Sequence, residues 1–464
     1  MKKLENLKKI ADANLHKLDM STESKEKLKK SVSAKRAKKF KSWTFAGIPA
    51  IAALLALIVF ISGMFSREGA VTVLAKDLME GIKAEEPTTV ELKAEFIQST
   101  ADFSVELFKN SYAKRENSLI SPTSVYFALG MTANGAKGNT LKEFEELLGK
   151  EGIGIEDLNS YYYSLSKWLT DVKSGKVTFA NSIWYRDDDI LNIKKEFLQK
   201  NASYYKAAAY KADFSAKATV KDINNWVKHN TGETIDKIID KIDGNDLMYL
   251  INAVYFEDKW ETPYTKQDIQ DGEFYLEDGT RKKVEFMNST EFIYISDDKA
   301  EGFIKPYESG KYSFVAILPN EGVGVDSYIA SLSGEKFISL MDNKSSEKVR
   351  ASIPKFKISY SKELKESLKN MGLVECFSLD KADFSEMAEV EKGDIYVGKV
   401  LHKTYITVDV LGTKAGAATS ANMQLKLGAP EGHDIILDRP FIYAIIDNET
   451  NLPLFIGTMM NPKN

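Results

Sequence analysis

Residues 412–420 read Gly-Thr-Lys-Ala-Gly-Ala-Ala-Thr-Ser, a run of small residues in which only Lys414 carries a charge. Such a run cannot pack a core of its own and by itself reads as a flexible linker. Its flanks are different, because residues 405–411 alternate as a strand does and residues 423–427 offer large side chains that a protease pocket could bind. The segment therefore reads as an exposed loop that follows a strand.

The same run also suits a strand that has not yet formed. In an extended chain the side chains at positions 413, 415, 417, 419 and 421 would all face one side. They are Thr or Ala, which are small enough to enter a closed sheet without clashing against packed helices. The segment is thus compatible both with an exposed loop and with a latent strand.

Residues 93–464 contain helix-forming segments first and strand-forming segments later. Ser121-Pro122 is a helix start, with a side-chain acceptor at the cap and proline in the first turn. Apolar, β-forming runs predict strands at residues 177–185, 249–256, 312–318, 351–360, 405–411 and 440–446. Helices followed by long strands indicate an α+β domain around a large sheet rather than alternating βαβ units.

A membrane-spanning segment is predicted near the N-terminus. Residues 1–41 carry a net charge of +9 and residues 42–66 carry none, so the total of −4 leaves −13 on residues 67–464. As a helix, the uncharged stretch can cross a hydrocarbon core about 30 Å thick. The positive-inside rule then makes 1–41 a basic cytoplasmic leader, 42–66 a transmembrane signal anchor, 67–92 a spacer, and 93–464 an extracellular domain.

Other interpretations of this N-terminal region are weaker. A cleaved signal peptide has an apolar region of about 7–15 residues followed by a small-residue cleavage site, whereas this stretch is longer and has no clear site. A buried core helix is disfavoured by the lysine flank together with the absence of any polar face. The leader could contact anionic lipid or a partner, or it could be a solvated stretch that only fixes topology. Nucleic-acid binding is not expected, because the leader has almost no aromatic residues.

Composition and motifs give little support to catalysis or metal binding. The chain has one cysteine, Cys376, and four histidines without H-x-x-x-H spacing, so we expect neither a disulfide framework nor a metal site. It contains no nucleophile elbow, zinc-protease motif or phosphate-binding loop motif. Ser121 or Ser124 with His402 leaves a hydrolase as a weaker hypothesis. We expect no cofactor and no enzymatic activity.

Several ordered motifs resemble the serpin family over residues 93–464. They are residues 117–124 (Asn-Ser-Leu-Ile-Ser-Pro-Thr-Ser), 135–140 (Gly-Ala-Lys-Gly-Asn-Thr), 181–184 (Asn-Ser-Ile-Trp), 250–256 (Leu-Ile-Asn-Ala-Val-Tyr-Phe) with Lys259-Trp260 and Pro263, 353–356 (Ile-Pro-Lys-Phe) through Leu368, Gly372 and Phe377, and 438–441 (Asp-Arg-Pro-Phe) with 455–457 (Phe-Ile-Gly) and Asn461-Pro462. The resemblance implies three β-sheets, about nine helices and an exposed reactive-centre loop that inserts into the main sheet after cleavage. It also implies a metastable native state and suicide inhibition of serine proteases.

The resemblance further assigns roles to single residues. The hinge of the loop comprises Gly412, Thr413, Ala415, Gly416, Ala417 and Ala418. The sheet-opening cluster comprises five residues. Ser121, Ser124, Asn252 and His402 hold the sheet closed, and Trp260 lies where loop entry begins. The family's usual offset from the hinge glycine puts the scissile bond between Lys426 and Leu427. A lysine there suits the acidic pocket of a trypsin-like protease, whereas Leu425 would suit chymotrypsin- or subtilisin-like proteases.

Two functions compete, apart from the hydrolase. The first is a monomeric, membrane-tethered inhibitor of serine proteases that faces outward. The second is a non-inhibitory binding or sensor module of the same fold, with residues 1–41 reporting inside. The small hinge residues favour the first, because bulky or proline-containing hinges hinder insertion into a sheet. The lack of disulfides together with a basic anchor is compatible with a bacterial surface protein.

Overall fold

The structure is a computed structural model, and it describes residues 75–462 except 151, 189–190, 390–394 and 414–431. The predicted leader at 1–41 and the predicted membrane anchor at 42–66 lie outside the described residues. Within the described part, no helix is long and apolar enough to cross a membrane.

Nine α-helices occur in the described residues, six of them before residue 231. They are α1 (Ala94–Ser111), α2 (Pro122–Ala133), α3 (Gly138–Gly149), α4 (Ile155–Thr170), α5 (Lys195–Tyr205), α6 (Lys217–Asn230), α7 (Val325–Ser331), α8 (Gly334–Asp342) and α9 (Lys365–Asn370). Helix α2 begins at the predicted Ser121-Pro122 start and is buried along its whole length. The side chain of Ser121 makes no capping hydrogen bond, however, so the expected side-chain cap is wrong.

The described strands follow in chain order. They are β1 (Lys76–Asp77), β2 (Ser118–Ile120), β3 (Lys176–Arg186), β4 (Ala208–Ala212), β5 (Met248–Lys259), β6 (Ile269–Tyr275), β7 (Arg281–Glu291), β8 (Tyr294–Ser296), β9 (Ala300–Pro306), β10 (Tyr312–Pro319), β11 (Val349–Pro354), β12 (Phe356–Glu363), β13 (Lys399–Val408), β14 (Gly412–Thr413), β15 (His433–Ile436), β16 (Phe441–Asp447) and β17 (Pro453–Met459).

These strands form three sheets, as the resemblance implied. The main sheet has the order β1-β4-β3-β5-β14-β13-β12, the inner sheet the order β2-β17-β16-β10-β9-β8, and the small sheet the order β15-β11-β7-β6. Helices and strands are interspersed along the chain, but most neighbouring strands pair antiparallel rather than as βαβ units, and the prediction of an α+β fold is confirmed. The strand pair that matters for function is β5 and β13 at the centre of the main sheet.

Apolar side chains cover both faces of the main sheet. On one face of β5, Leu250, Val254 and Phe256 belong to the large core that the inner sheet and α2 share. On the other face, Tyr249 and Ile251 belong to a smaller core with apolar residues of α6. Burial on both faces explains why this strand reads as a nearly continuous apolar run.

Five of the six predicted strands are confirmed with shifted ends. The prediction of one strand at 351–360 is wrong, because the chain divides there into β11 of the small sheet and β12 of the main sheet. Pro354 has no N–H for a ladder, and the N–H of Lys355 donates to the carbonyl of Glu285 at 2.9 Å. The break thus depends on pairing with distant strands, which local periodicity does not reveal.

The described part of the predicted spacer, residues 75–92, runs along the surface of the domain. Three of its backbone N–H groups donate to side chains outside the segment, with Ala75 donating to Asp222 at 3.1 Å. Glu85 donates to Ser203 at 3.0 Å, and Val90 donates to a serine of α4 at 2.8 Å. This part of the segment is therefore fastened to the domain at several points.

Candidate functional site: the hinge and the seam of the main sheet

The chain enters the main sheet at the predicted hinge. Gly412 and Thr413 form β14, which pairs antiparallel with Lys259 and Asp258 of β5 and, through Thr413, with Val408 of β13. Gly412 has a φ of +149°, and a Cβ at this position would lie 2.3 Å from the carbonyl oxygen of Asp258. The entry point therefore requires glycine.

Thr413 anchors the hinge in the large core. Its side chain is buried, and its Oγ1 lies 2.6 Å from the hydroxyl of Tyr307. Tyr307 was not among the predicted site residues, because it comes from the connection after β9, far away in the sequence.

Below the hinge, β5 and β13 are paired only in part. Their parallel ladder joins residues 249–253 to residues 399–403. Among the described pairings, none joins residues 254–257 to residues 404–407, which lie between this ladder and the hinge. We call the facing edges of β5 and β13 the seam. The seam is closed at one end, occupied by the hinge at the other, and parted between them.

The hinge preserves the register of the seam. Along the ladder, each β5 residue pairs with the β13 residue 150 positions later, as Tyr249 does with Lys399. Thr413 pairs with Asp258 on one side and with Val408 on the other, which are also 150 positions apart. A strand that continued from Thr413 would thus fit between β5 and β13 without a register shift.

Four of the five residues predicted for the sheet-opening cluster meet at the closed end of the seam. His402 Nδ1 lies 2.5 Å from Asn252 Oδ1, so each strand contributes one partner. The backbone N–H of Ser121 donates to His402 Nε2 at 3.1 Å. This acceptor role leaves the ring proton on Nδ1, where it is donated to Asn252.

The amide group of Asn252 extends this network to the helix beneath. Its Nδ2 lies 2.6 Å from Ser124 Oγ and 2.8 Å from the Ser124 carbonyl oxygen of α2. It also lies 2.5 Å from Asn181 Oδ1 of β3. Asn181 was quoted in a motif but not predicted as a site residue, although its place on the neighbouring strand brings it into the cluster.

His402 is neutral in this environment. It is fully buried, and burial lowers its pKa to about 3. Both of its ring nitrogens are engaged, and Ser124 is bound by Asn252 rather than by the imidazole. The arrangement therefore provides no nucleophile–base pair for the hydrolase hypothesis, and it holds the two strands together instead.

Trp260, the fifth predicted residue, lies at the hinge end of the seam. Its indole N–H donates to the carbonyl of Asp409 at 2.8 Å, and its backbone N–H donates to the carbonyl of Leu411 at 3.0 Å. Its ring stacks on Tyr307 with a centroid distance of 4.7 Å and an angle of 9°. Trp260 thus holds the turn that leads from β13 into the hinge.

The remaining predicted site residues are not described by the structure. Ala415, Gly416, Ala417, Ala418, Lys426 and Leu427 all lie within 414–431, outside the described residues.

Comparison with known proteins accounts for this geometry. The family model described as Serpin (serine protease inhibitor) matches residues 98–462. The chain belongs to the serpin family. Members of this family are known as protease inhibitors rather than enzymes, so membership suggests protease inhibition.

Solved structures and curated relatives extend this assignment. The serpin is similar to tengpin, a thermophilic serpin, whose native-state crystal structure matches with a TM-score of 0.80 at 51% identity, over 83% of this chain and 99% of that chain. The latent state of tengpin matches with a TM-score of 0.72 at 51% identity, over 81% and 100%. Leukocyte elastase inhibitor A of Mus musculus is 30% identical over 376 residues, which cover 78% of this chain and 97% of that protein.

Proposed function

We propose that this serpin is a suicide inhibitor of serine proteases that acts by cleavage of its loop and insertion of the cut strand into the seam. The observation that carries the proposal is the hinge, which already occupies the end of a parted seam in matching register. Insertion then requires that pairing continue from Thr413 and that the ladder between β5 and β13 at the closed end of the seam separate.

The register predicts where each inserted side chain would lie. Continuing from Thr413, Ala415 would come between Phe256 and Ile406, and Ala417 between Val254 and Thr404. Position 419 would come between Asn252 and His402 and would replace their hydrogen bond. From position 413 to position 421, the inserted residues facing the large core are all Thr or Ala, so this part can enter with little displacement of the packed side chains.

The covalent step is ordinary acyl transfer to the protease. The serine hydroxyl of the protease attacks the carbonyl carbon of Lys426, and the Lys426–Leu427 peptide bond breaks. The new α-amino group of Leu427 takes the proton from the protease histidine, and Lys426 remains as an acyl ester. Insertion of residues 414–426 would carry this ester about 43 Å from the hinge, at about 3.3 Å per residue.

The target class follows from the residue before the scissile bond. With Lys426 in that position, a trypsin-like protease is favoured, because its acidic pocket pairs with the ammonium group. If Leu425 occupied it, chymotrypsin- or subtilisin-like proteases would be favoured. The Lys426→Gln variant separates these cases, because it should abolish complexes with trypsin and spare those with chymotrypsin or subtilisin.

We also propose that the inhibitor is tethered to the outer face of a membrane as a single-pass protein. Support comes from the uncharged residues 42–66, which follow a leader of net charge +9 and precede a region of −13. Protease added to intact cells should remove residues 67–464 and spare the leader. Protection of the whole chain would contradict this topology.

The inhibitor proposal is tested by mixing the full chain, held in detergent, with trypsin, chymotrypsin and subtilisin. Complexes that survive denaturant on a gel support it. The Thr413→Arg variant should be cleaved as a substrate instead. The side chain of Thr413 is buried and its Oγ1 lies 2.6 Å from the Tyr307 hydroxyl, so a charged arginine cannot take its place. Thr413→Ser keeps the hydroxyl and is the matched control.

Cleavage of the wild-type loop without a complex and without a gain in thermal stability would contradict the inhibitor proposal. It would favour the alternative of a non-inhibitory binding or sensor module. Unchanged inhibition by Thr413→Arg would contradict the insertion mechanism specifically.

A further inference from the structure

A buried ion pair lies next to the rings of Trp260 and Tyr264, two residues whose indole and backbone N–H groups hold the turn before the hinge. Lys305 of β9 and Glu291 of β7 are joined by an Nζ–Oε1 distance of 2.7 Å, with side chains only 3% and 8% exposed. Among the ion pairs of the described residues, it is the only one with both side chains buried. Burial removes the hydration of both charges, so such a pair contributes little net stability compared with apolar residues.

The ammonium group of Lys305 faces two aromatic rings. Its Nζ lies 4.6 Å from the ring centre of Tyr264 and 5.4 Å from that of Trp260. Glu291 fixes the ammonium from the other side, and its Oε1 also accepts a hydrogen bond from Ser289 at 2.6 Å. At these distances, a desolvated cation attracts and orients aromatic rings.

The same two aromatic residues bind three successive carbonyl groups of the turn that precedes the hinge. Trp260 binds the carbonyls of Asp409 and Leu411, as described above. The backbone N–H of Tyr264 donates to the carbonyl of Val410 at 2.9 Å. The turn is closed by the N–H of Asp409, which donates to the carbonyl of Gly412 at 3.1 Å.

This turn makes β13 and β14 a preformed hairpin. Closing a hairpin turn is the entropically costly step, whereas each further residue of a strand then adds pairs at a smaller entropic cost. A turn held in place therefore favours elongation of β14 along the seam. A turn that moves freely must be closed again before insertion can proceed.

We infer that Lys305 and Glu291 are positioning residues for loop insertion, which act by orienting Trp260 and Tyr264 against the turn at 409–412. The inference rests on the proposed function in so far as that function requires insertion. According to this inference, the pair increases the rate at which the cut loop enters the seam. A higher insertion rate increases the fraction of protease that is trapped rather than released.

The test compares two neutralised ion pairs in the full chain. Lys305→Met/Glu291→Gln removes both buried charges while keeping their approximate volumes. Lys369→Met/Glu366→Gln applies the same change to a more exposed pair joined at 3.0 Å within α9, which does not adjoin the turn at 409–412, and is the matched control. Each loop is cut rapidly with excess subtilisin, and insertion is followed by tryptophan fluorescence and by the gain in thermal stability.

We expect the Lys305→Met/Glu291→Gln variant to insert about threefold to tenfold more slowly than wild type, the range that a lost desolvated cation–π contact permits. Its thermal stability before cleavage should match wild type, since a neutral pair carries no desolvation penalty. The control pair should change neither quantity. Lys305→Arg, which keeps a cation facing the rings, should insert within about twofold of wild type.

Insertion at the wild-type rate by a Lys305→Met/Glu291→Gln variant of normal stability would overturn the inference and leave the pair a purely structural feature. A wild-type chain that inserts its cut loop but traps no protease would overturn the inhibitor proposal alone, because the insertion rates would still report on the pair. A wild-type chain that never inserts would overturn both.

Discussion

Lowering the pH from 7.5 to 4.5 is expected to weaken the closed end of the seam by about 3 kcal/mol through the protonation of His402. In the closed sheet, burial holds the pKa of His402 at about 3. When β5 and β13 separate, the imidazole reaches water and its pKa returns to about 6.5. Between these two pKa values, His402 is therefore protonated in the open state and neutral in the closed state.

The sign and the pH window follow from these two values. Because the pKa is lower in the closed sheet, the stabilisation is complete above pH 6.5 and is lost progressively as the pH falls towards 3. The loss is about 1 kcal/mol at pH 5.5 and about 3 kcal/mol at pH 4.5, which correspond to about tenfold and hundredfold more frequent opening. Burial raises the pKa of the Asp258 carboxyl near the hinge, which acts in the opposite direction.

Hydrogen–deuterium exchange measures this opening directly. Amides of β13 at residues 399–403 should exchange faster as the pH falls, after correction for the intrinsic pH dependence of exchange. Amides of β10 in the inner sheet serve as the internal reference. The His402→Gln variant, which cannot titrate at this position, should open more often at pH 7.5 but lose the increase in opening as the pH falls. An equal pH dependence in wild type and His402→Gln would refute the assignment to His402.

Two further substitutions test the hinge and the cluster separately. Gly412→Ala should expel the hinge from the sheet, because the new Cβ would lie 2.3 Å from the carbonyl oxygen of Asp258. The variant should be cleaved faster at the hinge and should form fewer protease complexes, and normal complex formation would contradict the prediction. Asn252→Leu keeps the volume but leaves His402 and Ser124 without their partner, so the free energy of unfolding in urea should fall by about 3 kcal/mol. A loss below about 1 kcal/mol would show that the amide contributes little.

Local patterns in the sequence determined the elements that flank the functional segment. The alternation at 405–411 predicted the end of β13, although the strand stops at Val408. The apolar run at 249–256 predicted β5, and the small residues at 412–420 predicted a segment able to enter a sheet. These features depend on side-chain size and spacing along a few residues, which the sequence displays directly.

The cluster residues came from family resemblance rather than from periodicity. The structure then brought Ser121, Ser124, Asn252 and His402 together through hydrogen bonds that span more than a hundred positions in the chain. The neutral state of His402 is also a tertiary property, because it depends on complete burial and not on neighbours in sequence.

Only the tertiary structure decided how the hinge is held. The contact between Thr413 and Tyr307, the three carbonyls bound by Trp260 and Tyr264, and the division of 351–360 between two sheets all depend on strands far apart in the chain. So does the ion pair of Lys305 and Glu291, since lysine side chains are ordinarily exposed and that of Lys305 is buried in the fold. The sequence by itself determined which segment can become a strand. The tertiary structure decided where that strand fits, because register and burial arise only when distant strands pair and exclude water.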